Sequence, residues 1–139
     1  MVEEIKEYLN VFYKQIQNFN ALLKENFDLQ SYPTYNEAGN LFPRKGELRE
    51  GSFVYKYQFH GKGCTIIKNE IWISYNIDIL NNNEISITAW NVKKFIETYT
   101  GQSSEYKSSE IDQTFIELEK KKVLIRRNPD FMVFNIIDF

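Results

Sequence analysis

Phe53-Val54-Tyr55-Lys56-Tyr57-Gln58-Phe59-His60-Gly61-Lys62-Gly63-Cys64-Thr65-Ile66-Ile67-Lys68-Asn69-Glu70-Ile71-Trp72-Ile73-Ser74-Tyr75-Asn76-Ile77-Asp78 is the stretch that decides the fold. Its opening alternates Phe53, Tyr55, Tyr57 and Phe59 with Val54, Lys56, Gln58 and His60. A period of two sends one row of side chains into a core and the other outward. Gly61-Lys62-Gly63 makes a tight turn, and residues 64–68 run back. After a second turn at Asn69-Glu70, Ile71, Ile73, Tyr75, Ile77 and Ile79 face one way, while Trp72, Ser74, Asn76 and Asp78 face the other. Asn81-Asn82-Asn83 reads as a loop and residues 84–87 as one more short strand. Strands joined by such short turns predict an antiparallel meander.

Upstream, the spacing changes to that of a helix. Ile5, Leu9, Phe12, Ile16, Phe19 and Leu23 recur every three or four residues, and Tyr8, Tyr13 and Leu22 widen the stripe. The pattern predicts one helix over residues 2–26, about 37 Å long at 1.5 Å per residue. Residues 28–51, interrupted by Pro33, Gly39, Pro43 and Gly46, read as a loop-rich stretch carrying Tyr32, Tyr35 and Glu37. Loops beyond ~15 residues are uncommon unless functional or disordered, and the aromatics favour a packed, binding loop.

Downstream, Thr88 reads as the N-cap of a helix with Trp90, Phe95, Ile96 and Tyr99 as its apolar positions and Gly101 past its end. Residues 102–109, with Tyr106 among them, are polar. Ser109 and Asp112 resemble a capping pattern, and Ile111, Phe115 and Leu118 stripe a further helix ending near Lys121. Residues 123–127 and 131–137 flank Asn128-Pro129-Asp130 as a closing hairpin. The fold class expected is α+β: a β-meander packed against a long N-terminal helix, with two further helices and a C-terminal hairpin, in one domain spanning 1–139.

The 139 residues are 42% hydrophobic and 16% aromatic, ample for one core. The net charge of −2 and the pI of about 5.5 disfavour generic binding to nucleic acid or to an anionic membrane surface. The N-terminus lacks the basic start and apolar run of a signal peptide, and no apolar run approaches the ~20 residues of a membrane helix. The cytoplasm is the expected compartment.

Cys64 and His60 are the only cysteine and the only histidine, which excludes an intramolecular disulfide and a Cys/His zinc site. No metal site or cofactor is expected. Flanking a three-residue loop, the two side chains would face each other across the hairpin, as a nucleophile dyad requires. No orienting group or oxyanion hole accompanies them, so His60, Gly61, Gly63 and Cys64 are read as a structural hairpin, and no catalytic residue is assigned. Gly61-Lys62-Gly63 joins two strands, unlike a phosphate loop. Asp78 reads as a solvated charge on the polar strand face. Lys120, Lys121, Lys122, Arg126 and Arg127 form one basic cluster, without the helix-turn-helix that DNA recognition would call for.

Residues 57–64, the Ile-rich strand ending near Asp78, Ile87-Thr88-Ala89-Trp90 and the upstream Arg44-Lys45-Gly46-Glu47-Leu48 together resemble a family of small bacterial domains of unknown function. Its landmark is an aromatic–His-Gly-x-Gly-Cys hairpin after an N-terminal helix, and the resemblance covers about residues 5–100. Such domains look like proteins that accompany bacterial polymorphic toxins, many of them immunity proteins. The resemblance implies a protein partner, a toxin or effector, and assigns no contact residue. From the residues themselves, Tyr32, Tyr35, Glu37, Trp72, Asp78 and Tyr106 are the candidate partner contacts. Mild acidity would suit a basic target. Two rival readings are a small enzyme using Cys64 with His60, and an assembly module built on the first helix.

Overall fold

The computed structural model describes residues 2–27, 44–102, 106–127 and 132–136. Helix α1 (Val2–Asn26) has the predicted bounds. Ile5, Leu9, Phe12, Ile16, Phe19 and Leu23 are all wholly buried, and full burial of such a side chain stabilises by about 1.5–3 kcal/mol. That stripe is therefore consumed inside the domain rather than left for a partner helix.

Strands β1 (Lys45–Glu50), β2 (Phe53–His60), β3 (Gly63–Lys68), β4 (Ile71–Asp78) and β5 (Glu84–Ile87) follow in order. Then come helices α2 (Ala89–Thr100) and α3 (Ser108–Lys120) and strands β6 (Leu124–Arg126) and β7 (Phe134–Ile136). They form a seven-stranded sheet in the order β1-β2-β3-β4-β5-β7-β6, and every pairing is antiparallel. The α+β class, the meander, the long first helix, the two further helices and the final hairpin are all present. The turn expected at residues 128–130 lies outside the described residues.

Helices α1, α2 and α3 gather on the sheet face that carries Tyr55, Tyr57, Phe59, Ile66, Ile73, Tyr75 and Ile77. Rings join the layers: Phe12 meets Phe95 of α2 at 5.1 Å, and Phe19 meets Tyr55 and Tyr57 at 5.7 Å between centroids. The Tyr75 hydroxyl donates to Asn20 Oδ1 at 2.8 Å, so even the polar tip of that buried ring has a partner. Phe115 of α3 packs on Phe134 of β7 at 5.2 Å, and Arg126 forks onto both oxygens of Glu119, tying β6 to α3.

Four local expectations change. Residues 45–50, read as part of a loop, are a strand; Leu48 is its one buried side chain, and pairing with β2 holds it there. In α2 the buried residues are Ala89, Val92, Phe95 and Ile96, whereas Trp90 and Tyr99 are exposed. Thr88 does cap that helix through Asn91, and Gly101 closes it in the left-handed region at φ 73°. Helix α3 begins one residue before Ser109 and has no side-chain cap. The β2–β3 loop has two residues, Gly61 and Lys62, because His60 pairs with Gly63 and Phe59 with Cys64.

Candidate protein-binding surface

That change of one residue in register reverses the geometry expected of His60 and Cys64, since side chains alternate faces along a strand. His60 lies exposed on the face away from the helices, while Cys64 points into the core and is 2% exposed. Burial pushes the Cys64 thiol up to about 12, against a smaller downward pull from its hydrogen bond with Tyr75. Neither the placement nor the acidity suits a nucleophile dyad. The glycines have local reasons: Gly61 takes φ 61°, and a Cβ on Gly63 would sit 3.3 Å from the His60 carbonyl oxygen.

The sheet ends in two different ways. At the end holding the β2–β3 turn, the cross-strand neighbours Asp78 and Glu84 set two carboxylates side by side. Asp78 is only 8% exposed, with Lys62 Nζ at 2.8 Å and Arg127 Nη2 at 3.8 Å from Oδ2. Arg127 also donates to Ser86 Oγ at 3.3 Å, and Glu84 accepts from Asn81 and Asn135. Asp78 is thus an internal ion-pair partner, not the solvated strand-face charge expected of it. The basic cluster expected near the C-terminus is divided accordingly: Arg126 turns to Glu119 and Arg127 to Asp78.

At the opposite end, near the Asn69-Glu70 turn, aromatic side chains reach the surface. Strand β5 pairs with β4 only over Asn76–Asp78, leaving the first half of that edge to α2. There the Trp72 backbone N–H donates to Thr98 Oγ1 at 2.9 Å, and Lys94 Nζ lies 5.4 Å from the centre of the Trp72 ring. Trp90, one turn before Lys94, is 61% exposed and borders a 240 Å³ depression with Lys93, Lys94 and Glu97. On its other side Trp72 borders a 210 Å³ depression with Lys56, Gln58, His60, Thr65 and Ile67. On the helix-bearing face, Phe53 and Tyr99, about half exposed, flank a third pocket with Gln15, Lys68 and Ile71. Leu80 and Ile125 are exposed as well, but at separate places.

Of the six contacts expected from sequence, Trp72 lies in this aromatic surface and Asp78 at the other end. Tyr106 fastens the start of α3 to α1: its hydroxyl donates to Glu4 Oε2 at 2.7 Å, and its ring packs edge-on against Tyr8. Tyr32, Tyr35 and Glu37 lie outside the described residues. Phe53, Trp90 and Tyr99 were missed. For Trp90 a signal existed, because at 100° per residue it falls well away from the arc of Ala89, Val92, Phe95 and Ile96.

The family model for a domain of unknown function, DUF6896, matches residues 5–135. This chain belongs to that family. The DUF6896 match extends past residue 100 into β7, so the C-terminal hairpin is part of the same domain type as the meander. No curated protein and no solved structure matches the chain. No helix among the described residues is long and apolar enough to cross a membrane.

Proposed function

We propose that this DUF6896 domain is a non-catalytic protein-binding module that neutralises a bacterial toxin by direct contact, as immunity proteins do. The observation that carries the reading is the pair of exposed tryptophans, Trp72 on β4 and Trp90 on α2, which have Lys94 as a common neighbour. Binding energy concentrates in Trp, Tyr and Arg set beside shallow pockets, and here such residues stand on rigid elements. A strand and a helix fix Trp72 and Trp90 before any partner arrives, which lowers the ordering cost of association. The separation of His60 from Cys64 supports the non-catalytic part of the reading. The resemblance to proteins that accompany polymorphic toxins supports the choice of partner.

The test is binding of the purified domain to the product of the adjacent gene, measured by calorimetry with wild type, Trp72→Ala and Trp90→Ala. A complex tighter than micromolar, weakened by about 2 kcal/mol or more in each variant, is the expected result. No complex, or one indifferent to both substitutions, would overturn the reading.

A further inference from the structure

Lys68, at the end of β3, is half-buried, and no carboxylate among the described residues pairs with it. Its ammonium is held by neutral groups instead. Nζ donates to Tyr55 Oη at 3.0 Å and to Gln15 Oε1 at 3.4 Å, and it lies 4.6 Å and 4.8 Å from the ring centres of Phe53 and Tyr55. An ammonium has three N–H donors, so one is left over after these two bonds. Withdrawing a cation from water is costly unless an anion compensates it. The chain nevertheless fixes Lys68 at the wall of a 160 Å³ pocket lined also by Gln15, Phe53, Ile71, Phe95 and Tyr99. A single water needs only about 10–15 Å³, so a group of several heavy atoms fits.

We propose that this pocket binds a carboxylate carried on a short apolar stem. The carboxylate takes the remaining donor of Lys68 and its charge, and the stem lies against Ile71, Phe95 and the rings of Phe53 and Tyr99. A carboxylate suits the site better than a phosphate, because phosphate sites commonly use several backbone N–H groups at a helix N-terminus, whereas Gln15 lies in the middle of α1. Among the described residues no Asp or Glu lines the pocket to compete for Lys68. The chemistry has two sources, a free small carboxylic acid and an acidic side chain of a docked protein. The site stands on the pocket alone and does not need the proposed toxin partner.

The experiment is titration of the ¹⁵N-labelled full chain with butyrate and, separately, with butyramide, its neutral counterpart. Butyrate is expected to move the amide signals of Lys68, Asn69, Ile71 and Tyr99 saturably while butyramide leaves them in place. Lys68→Met is expected to weaken butyrate binding by about tenfold or more. Equal responses to the two compounds, unchanged binding in Lys68→Met, or no saturable response to butyrate would overturn the proposal. Dissociation constants below millimolar assign the pocket to a free acid. Millimolar binding, with butyrate displacing the partner protein and Lys68→Met loosening that complex about tenfold, assigns it to a partner's side chain. Because the butyrate comparison uses no partner, failure of the complex and failure of the pocket are read separately.

Discussion

The two ends of the sheet treat polarity in opposite ways. Around Asp78 the charges are matched within the chain: Lys62 and Arg127 offset the carboxylate, and Asn81 and Asn135 hold its neighbour Glu84. Around Lys68 a cation lies among rings with no counter-charge among the described residues, and large aromatic side chains stay in solvent. Exposed aromatic surface and an unmatched half-buried charge both weaken a protein that acts alone. The lesson is that one end commits its polar groups to the fold, while the other leaves rings and a cation within reach of solvent.

Substitutions should separate the two ends. The largest effect is expected from Phe95→Ala, which removes the ring beneath the aromatic end that packs on Phe12. Truncating a wholly buried Phe costs about 3–5 kcal/mol, checked by urea denaturation. Next is Asp78→Ala. It leaves Arg127 and Lys62 without their carboxylate and should cost about 2 kcal/mol, below the loss for a fully buried pair because the Lys62 side chain is 52% exposed. A loss under ~0.5 kcal/mol would erase the contrast drawn here, since that is the range of ordinary surface changes.

Alkaline pH probes the core beneath the charged end. With the Cys64 thiol raised from 9.0 to about 12 in the folded state, only the unfolded chain releases this proton between those values. Stability should therefore fall as pH rises through that window, with a slope of up to about 1.4 kcal/mol per unit from this group. Cys64→Ala, followed by denaturation at several pH values, should remove that share of the slope. The smallest effect is expected from Trp90→Ala, which should change stability by less than about 0.5 kcal/mol because the ring is 61% exposed. A large loss would place Trp90 with the residues that hold the fold.

The scaffold was readable wherever one physical period ran long enough. Helix α1 kept its three-and-four spacing over 25 residues, and β2 and β4, eight residues each, kept a large apolar side chain at every second position. Strand β1 could not be read this way: Lys-Gly-Glu-Leu-Arg-Glu has one buried side chain, and it is a strand because β2 offers it an edge. The hairpin loop after His60 is one residue shorter than the glycine spacing predicts, enough to set His60 and Cys64 on opposite faces. Much of the aromatic surface was hidden for a further reason. The 100° spacing sets Trp90 off the buried arc, but Tyr99 falls within that arc, and only its place at the end of α2 leaves it half exposed.

The strand order has a kinetic consequence. Strands β1 to β4 are joined by two-residue loops, so their pairings close over very short stretches of chain. Among the described residues strand β7 meets β5 through two residue pairs, Ser86 with Asn135 and Ile87 with Phe134, after both later helices have intervened. Contacts between distant residues pay their loop-closure entropy before they return stability. The meander is therefore the natural nucleus, and the C-terminal hairpin the last part to dock and the first to exchange its amide protons.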